Sequence, residues 1–162
     1  MLSTGPARPI AHSGRWLVRD VVVDSSVAVA ALLPDEPLHR AAIAFLGEIG
    51  AGQLEPVVAA HFRFEVRSAL VRAAHRGRIG WDAVPAMLGA LDALEPTVAP
   101  VVEDDVALLG ISRACGVEWA DAHWVHAAAT SDAPLVTADR RLARSVPDEI
   151  AIVVFLGDRP LD

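Results

Sequence analysis

The chain has 162 residues, the length of one ordinary domain, and at 53% hydrophobic it lies far from the composition of disordered or fibrous proteins. Its single cysteine, Cys115, excludes an internal disulfide and a thiolate zinc cluster. All 14 basic residues are arginine, which excludes a P-loop and lysine Schiff-base chemistry, while the net charge of −7 argues against a broad polyanion-binding surface.

Residues 1–19 (beginning MLSTGPARPIAHSGRWLV) mix Gly, Pro, Ser and Arg without periodicity and are expected to form a loosely ordered extension, with the folded domain at 20–162. VVVD at 21–24 is a β-branched run that reads as a buried strand. SSVAVAALL from Ser25 reads as a short helix stopped by Pro34, and 36–49 as a second helix ended around Gly50 and Gly52. LEPVV at 54–58 is a strand weakened by Pro56. Over 60–76, Phe62, Val66, Ala69, Leu70 and Ala73 fall on one stripe at helical spacing. A further helix covers 81–94, with Pro85 in its first turn, where proline is tolerated. TVAPVV at 97–102 is a third strand. The helix at 103–116 has acids at its start and Gly116 past its end. Helix 119–130, strand 134–137, the short helical run ADRRLAR and strand 150–155 complete the chain. Short apolar strands alternating with helices indicate an α/β class, with a mainly parallel sheet flanked by helices. No apolar run reaches the ~18 residues of a membrane span, and the first 15 residues lack the apolar segment of a signal peptide. A soluble, cytoplasmic protein that does not engage a membrane is expected.

Four acids stand where chemistry would use them. Ligands of an open parallel sheet bind beyond the carboxyl ends of its strands. Asp24 directly follows one strand and Asp139 follows another by one residue, while Asp121 opens a helix and Glu65 lies within one. Asp24, Asp121 and Asp139 also suit simple helix N-capping; Glu65, well inside its helix, does not. Four carboxylates in one cleft repel one another unless a cation compensates. Oxygen-only ligation suits the hard ions Mg²⁺ or Mn²⁺. His123 projects away from Asp121 on the helical wheel, and it and His126 are read as core or interface residues; His61, one turn before Glu65, is read as structural.

VVVDSSVAVAALL resembles the opening strand and turn of PIN domains. HFRFEVRSALVRAAHRGRI resembles the helix carrying that family's Glu, WADAHWVHAAA its Asp-Ala helix start, and PLVTADRRLAR its terminal strand with Thr and Asp. The offset of 18 positions from Asp121 to Asp139 is also similar to the family's spacing. Four motifs in order across about residues 20–155 are most similar to VapC toxins. The resemblance implies a PIN-like α/β/α sandwich and endonucleolytic cleavage of RNA with Mg²⁺ or Mn²⁺. It implies a site of Asp24, Glu65, Asp121 and Asp139, as both catalytic and metal-binding residues, with Ser26 and Thr137 as accessory hydroxyls. It further implies a homodimer and a small VapB-type antitoxin that inserts a segment into the site. The chain differs from the VapC pattern at Ala120, where Tyr is frequent, and at Glu118, an additional carboxylate.

Arginine clusters temper the acidic net charge. Arg63, Arg67, Arg72, Arg76 and Arg78 surround Glu65, and Arg140, Arg141 and Arg144 follow Asp139. Arg63, Arg67, Arg72 and Arg140 are the candidates for phosphate contacts, since a guanidinium binds phosphate through two donors. Two other classes with acids at strand ends fail on residues: a response-regulator receiver needs a lysine, and a haloacid-dehalogenase-type phosphatase needs Asp-x-Asp where this chain has Asp24-Ser25-Ser26. The remaining alternatives are a PIN nuclease of RNA processing without an antitoxin, and a catalytically silent PIN-fold binding module.

Overall fold

Strand β1 (Arg19–Val23) is the centre of the structure, a computed structural model that describes residues 19–159. Val21, Val22 and Val23 are all buried because helices cover both faces of the sheet, which explains why this strand is continuously apolar rather than alternating. The expected extension, apart from Arg19, lies outside the described residues; Arg19 itself opens β1.

The other elements follow as α1 (Ser25–Leu32), α2 (His39–Gly50), β2 (Leu54–Val58), α3 (Phe62–His75), α4 (Val84–Asp92) and β3 (Thr97–Val98). Then come α5 (Asp105–Cys115), α6 (Trp119–Ser131), β4 (Leu135–Thr137), α7 (Arg140–Ser145) and β5 (Val153–Phe155). The strands form one sheet in the order β3-β2-β1-β4-β5, with every neighbouring pair parallel. Right-handed crossovers place α1 to α4 on one face and α5 and α6 on the other, giving the expected three-layer α/β/α architecture. Contacts agree: α1 packs on α2 and α3, and α6 lies on β1 and β4.

Two strands are shorter than their apolar runs suggested. The third strand ends at Val98, before Pro100, and the last begins only at Val153. Pro56 is accommodated inside β2, where it stands opposite Val21. Val58 bonds toward β3 through Ala99, so Pro56, two residues earlier, turns its missing N–H to the same side, below the start of β3. Helix α5 is capped at both ends. Asp104 accepts from the amides of Val106 and Ala107, both at 3.0 Å, an arrangement typically contributing about 1 kcal/mol. Gly116 closes the helix at φ +65°, a conformation in which a side chain would be strained. No helix among the described residues is long and apolar enough to cross a membrane.

Candidate active site

The chain runs outward from β1 through β2 to β3, then returns to lay β4 and β5 on the other side of β1. The strand order therefore reverses between β1 and β4, and a crevice opens beyond their carboxyl ends. Asp24 leaves β1 at this point and Asp139 leaves β4. The backbone fixes their relation, because Asp24 N donates to the Val136 carbonyl at 3.0 Å.

Asp24 is 6% exposed and held by hydroxyls. Its Oδ2 accepts from Thr137 Oγ1 at 2.6 Å and from Ser26 Oγ at 2.7 Å. Oδ1 accepts the Ser26 amide at 3.3 Å, so the residue is an N-cap as well as a site carboxylate. Thr137, wholly buried, also accepts from Asp139 N at 2.9 Å, and Ser26 Oγ accepts from Ala138 N at 2.9 Å. These two hydroxyls, expected as accessory groups, thus join the ends of β1 and β4 into one network. Such hydrogen bonds to an ionised carboxylate are among the stronger ones.

Glu65 projects from the first turns of α3 toward the same crevice. Ser25 Oγ donates to its Oε2 at 2.6 Å and lies 3.3 Å from Asp24 Oδ1, so one hydroxyl bridges two of the four acids. Ser25 was not among the expected site residues. Its only sequence signal is the serine doublet after Asp24, and the contact exists because α1 packs on α3.

Asp121 lies in the first turn of α6, half-buried. Burial first, and then the charges of Asp24 and Asp139, push its carboxyl above the ordinary range, opposed chiefly by Arg141. Arg141 Nη2 stands 3.3 Å from Asp121 Oδ2. Asp139 caps α7, accepting from the Arg141 amide at 2.7 Å and that of Leu142 at 3.3 Å. Asp24 and Asp139 therefore cap their helices while also standing at the crevice.

The arginines separate into groups. Arg63 and Arg67 both take Asp92 of α4 and line no part of the cleft. Arg78 binds Asp35 through two nitrogens and reaches Glu36. Arg72 and Arg140 do line the cleft, Arg140 lying 4.0 Å over the Phe155 ring. Arg141, passed over in favour of Arg140 on sequence, is the arginine among the described residues that touches one of the four acids. The histidines form an aromatic cluster: His61 packs on His123 and Trp124, and His123 on Trp119. Burial, then His61 and His126, hold His123 below the ordinary imidazole range. His61 Nε2 is buried without a hydrogen-bond partner, 3.7 Å from Glu65 Oε2.

All four acids are thus gathered at one crevice, and their oxygen donors suit a hard divalent cation. In the present geometry no three Asp, Glu, His or Cys side chains among the described residues stand close enough together to hold one ion. The carboxylates instead take internal donors: three hydroxyls, the amides of α7 and Arg141. Ligation means exchanging some of these bonds for the cation. At Asp121, burial first and then the charges of Asp24 and Asp139 oppose ionisation, a cost that a bound cation would offset.

Residues 21–146 match the PIN domain family, and the chain belongs to that family. PIN domains are commonly nucleases, generally acting on RNA with divalent metal ions. The structure is also similar to the crystal structure of PAE2754 from Pyrobaculum aerophilum, with a TM-score of 0.62 over 85% of this chain and 92% of that one. Sequence identity to that protein is 22%, so the likeness concerns the fold. No curated protein matches the sequence.

Proposed function

We propose that this protein is a metal-dependent endoribonuclease that hydrolyses RNA phosphodiester bonds, and that it is the toxin of a VapBC-type toxin–antitoxin pair. The observation that carries the nuclease reading is the meeting of Asp24, Glu65, Asp121 and Asp139 at the reversal point of the sheet, each from a different element. These four would hold Mg²⁺ or Mn²⁺. When bound, the ion supplies Lewis-acid polarisation of a phosphate oxygen and lowers the pKa of a coordinated water. The chain's own contribution is orientation. Thr137 and Ser26 fix the Asp24 carboxylate, Ser25 fixes Glu65 relative to Asp24, and Arg72 and Arg140 stand where flanking phosphates would pass. The toxin assignment rests on the motif pattern and extends to a homodimer and a small antitoxin as partners. Exposed Trp81 and Trp119 and the exposed Ile43 provide apolar surface for such partners, whereas Trp124 belongs to the core.

The test is Asp24→Asn beside Asp148→Asn, an exposed acid elsewhere on the surface. Asn keeps a carbonyl oxygen for the cap but loses the negative charge that a hard cation needs. Cleavage of labelled structured RNA with Mn²⁺ is expected to fall by about two orders of magnitude or more in the first variant only, with circular dichroism confirming that both are folded. Equal cleavage by Asp24→Asn and wild type would remove the site. A short adjacent reading frame for a DNA-binding antitoxin, co-purifying with this chain, tests the toxin assignment separately.

A further inference from the structure

Beside the acids lies a cleft of about 1040 Å³ that the metal chemistry does not account for. Its floor is α1, from Ser25 and Ser26 to Val29 and Ala30. One wall is α3, which contributes Phe64, Glu65, Ser68, Ala69 and Arg72. The other comprises Asp139 and Arg140 at the start of α7, with Phe155 from β5.

Phe64 is anomalous. It is 74% exposed, although it immediately precedes Glu65 in a helix whose other apolar residues are buried or half-buried, apart from Val71 at only 40% exposed. Phe64, Ser68 and Arg72 recur every fourth residue, so they form one stripe, with about 12 Å along the axis between Phe64 and Arg72. Arg72 is exposed and makes no ion pair among the described residues, unlike Arg63 and Arg67 on the same helix. Across the cleft, the Arg140 guanidinium carbon lies 4.0 Å from the Phe155 ring centroid, and its Nη2 stands 3.6 Å from Asp158 Oδ1.

We infer that Phe64 is a specificity-determining residue that stacks one unpaired base of the RNA, with Arg72 holding a phosphate one step along the strand. The inference rests on the nuclease reading and deepens it. Three observations favour this occupant. An exposed aromatic face accepts a base only when that base is not covered by its neighbours, and such stacking is indifferent to base identity. Asp24 is nearly buried, and Ser25 and Ser26 beside it line the cleft, a path that a pliant single strand follows more readily than a rigid duplex. The chain carries a net charge of −7, so long-range attraction does not draw in a polyanion. Affinity then has to come from local contacts, and stacking supplies one beside the two cleft arginines.

Binding is measured with EDTA present, so that nothing is cut, using a fluorescent RNA oligonucleotide as a single strand and as a duplex with its complement. Wild type is expected to bind the single strand more tightly than the duplex. Phe64→Ala should weaken single-strand binding about 5- to 150-fold, with unchanged dependence on salt. Arg72→Gln should instead lower the slope of log affinity against log salt by about 0.7. Phe64→Trp should retain affinity and add an emission that the single strand quenches to saturation and the duplex does not. Unchanged single-strand affinity in Phe64→Ala overturns the inference while leaving the nuclease reading intact. If that variant instead loses self-association by light scattering, or binding of a co-purified protein, the aromatic belongs to a protein contact and the inference is wrong. Wild type that neither binds nor, with Mn²⁺, cuts either RNA removes the nuclease reading itself.

Discussion

Replacing Thr137 by Val tests whether the site is held by its hydroxyl network. The two side chains have nearly the same shape, so packing around the wholly buried position changes little. What is lost is one hydrogen bond to the Asp24 carboxylate at 2.6 Å, for which about 1.5–3 kcal/mol is typical. Asp139 N, which bonds the same hydroxyl at 2.9 Å, is stranded as well. Because Asp139 is half-buried and water reaches it, the low end of the ~1–3 kcal/mol cost for an unsatisfied group applies. The sum is roughly 2.5–4 kcal/mol, or about 5–16 °C in Tm for a domain of this size. Thr137→Ser, which keeps the hydroxyl and loses one methyl, should lose only about 1 kcal/mol. The assay is calorimetric melting of the three proteins in EDTA, followed by Mn²⁺ titration. Loss of a group that orients a metal ligand typically weakens binding 10- to 100-fold, and that loss is expected for Val and not for Ser. A Val variant melting within about 2 °C of wild type, below the range just given, would refute the reasoning.

Mn²⁺ at millimolar concentration should raise the Tm of EDTA-stripped protein by mass action, and Asp24→Asn should abolish most of that rise. Asp121→Asn should stabilise the protein without metal near neutral pH. Its carboxyl lies above the ordinary range, so the folded state opposes its ionisation, and the penalty sets in as pH rises through the unfolded value near 3.9. Melting curves of the two proteins should therefore converge in acid; a gap that widens there would contradict the assignment. Asp35 has the opposite sign. The Arg78 side chain holds it below the usual carboxylate range, so its stabilisation is present above the unfolded value and lost as pH falls through the folded one. Arg78→Gln should accordingly flatten the acid limb of stability against pH, an effect read from urea midpoints between about pH 5 and 2.5.

Much of this molecule is written locally. Three consecutive valines before Asp24 announce a strand covered on both faces, and an α3 stripe of Phe62, Val66, Leu70 and Ala73 announces a helix packed along one side. The caps at Asp104 and Gly116 are equally local, since a cap involves only the next few residues. These features were legible because their energies depend on neighbours in sequence. Even the positions of Asp24 and Asp139 relative to their own strands belong here, because a strand's carboxyl end is defined by the strand itself.

Which residues meet is a different matter. That β4 pairs with β1 is a property of the sheet's topology, and only this pairing places Thr137 against Asp24, 113 positions away. Ser25 becomes a bridge between Asp24 and Glu65 solely because α1 packs on α3. The arginines show the limit most clearly. Along the sequence, Arg63, Arg67 and Arg72 are equivalent members of one basic cluster; Asp92, brought up by α4, takes the first two and leaves the third to the cleft. Likewise Arg140 and Arg141 are adjacent, yet the first lies on Phe155 and the second reaches Asp121, because successive residues of a helix point about 100° apart. Sequence by itself therefore determined the elements and the acids that leave them. The tertiary structure chose the partners, since a charge or hydroxyl acts through space over a few ångströms and its neighbours there are set by packing.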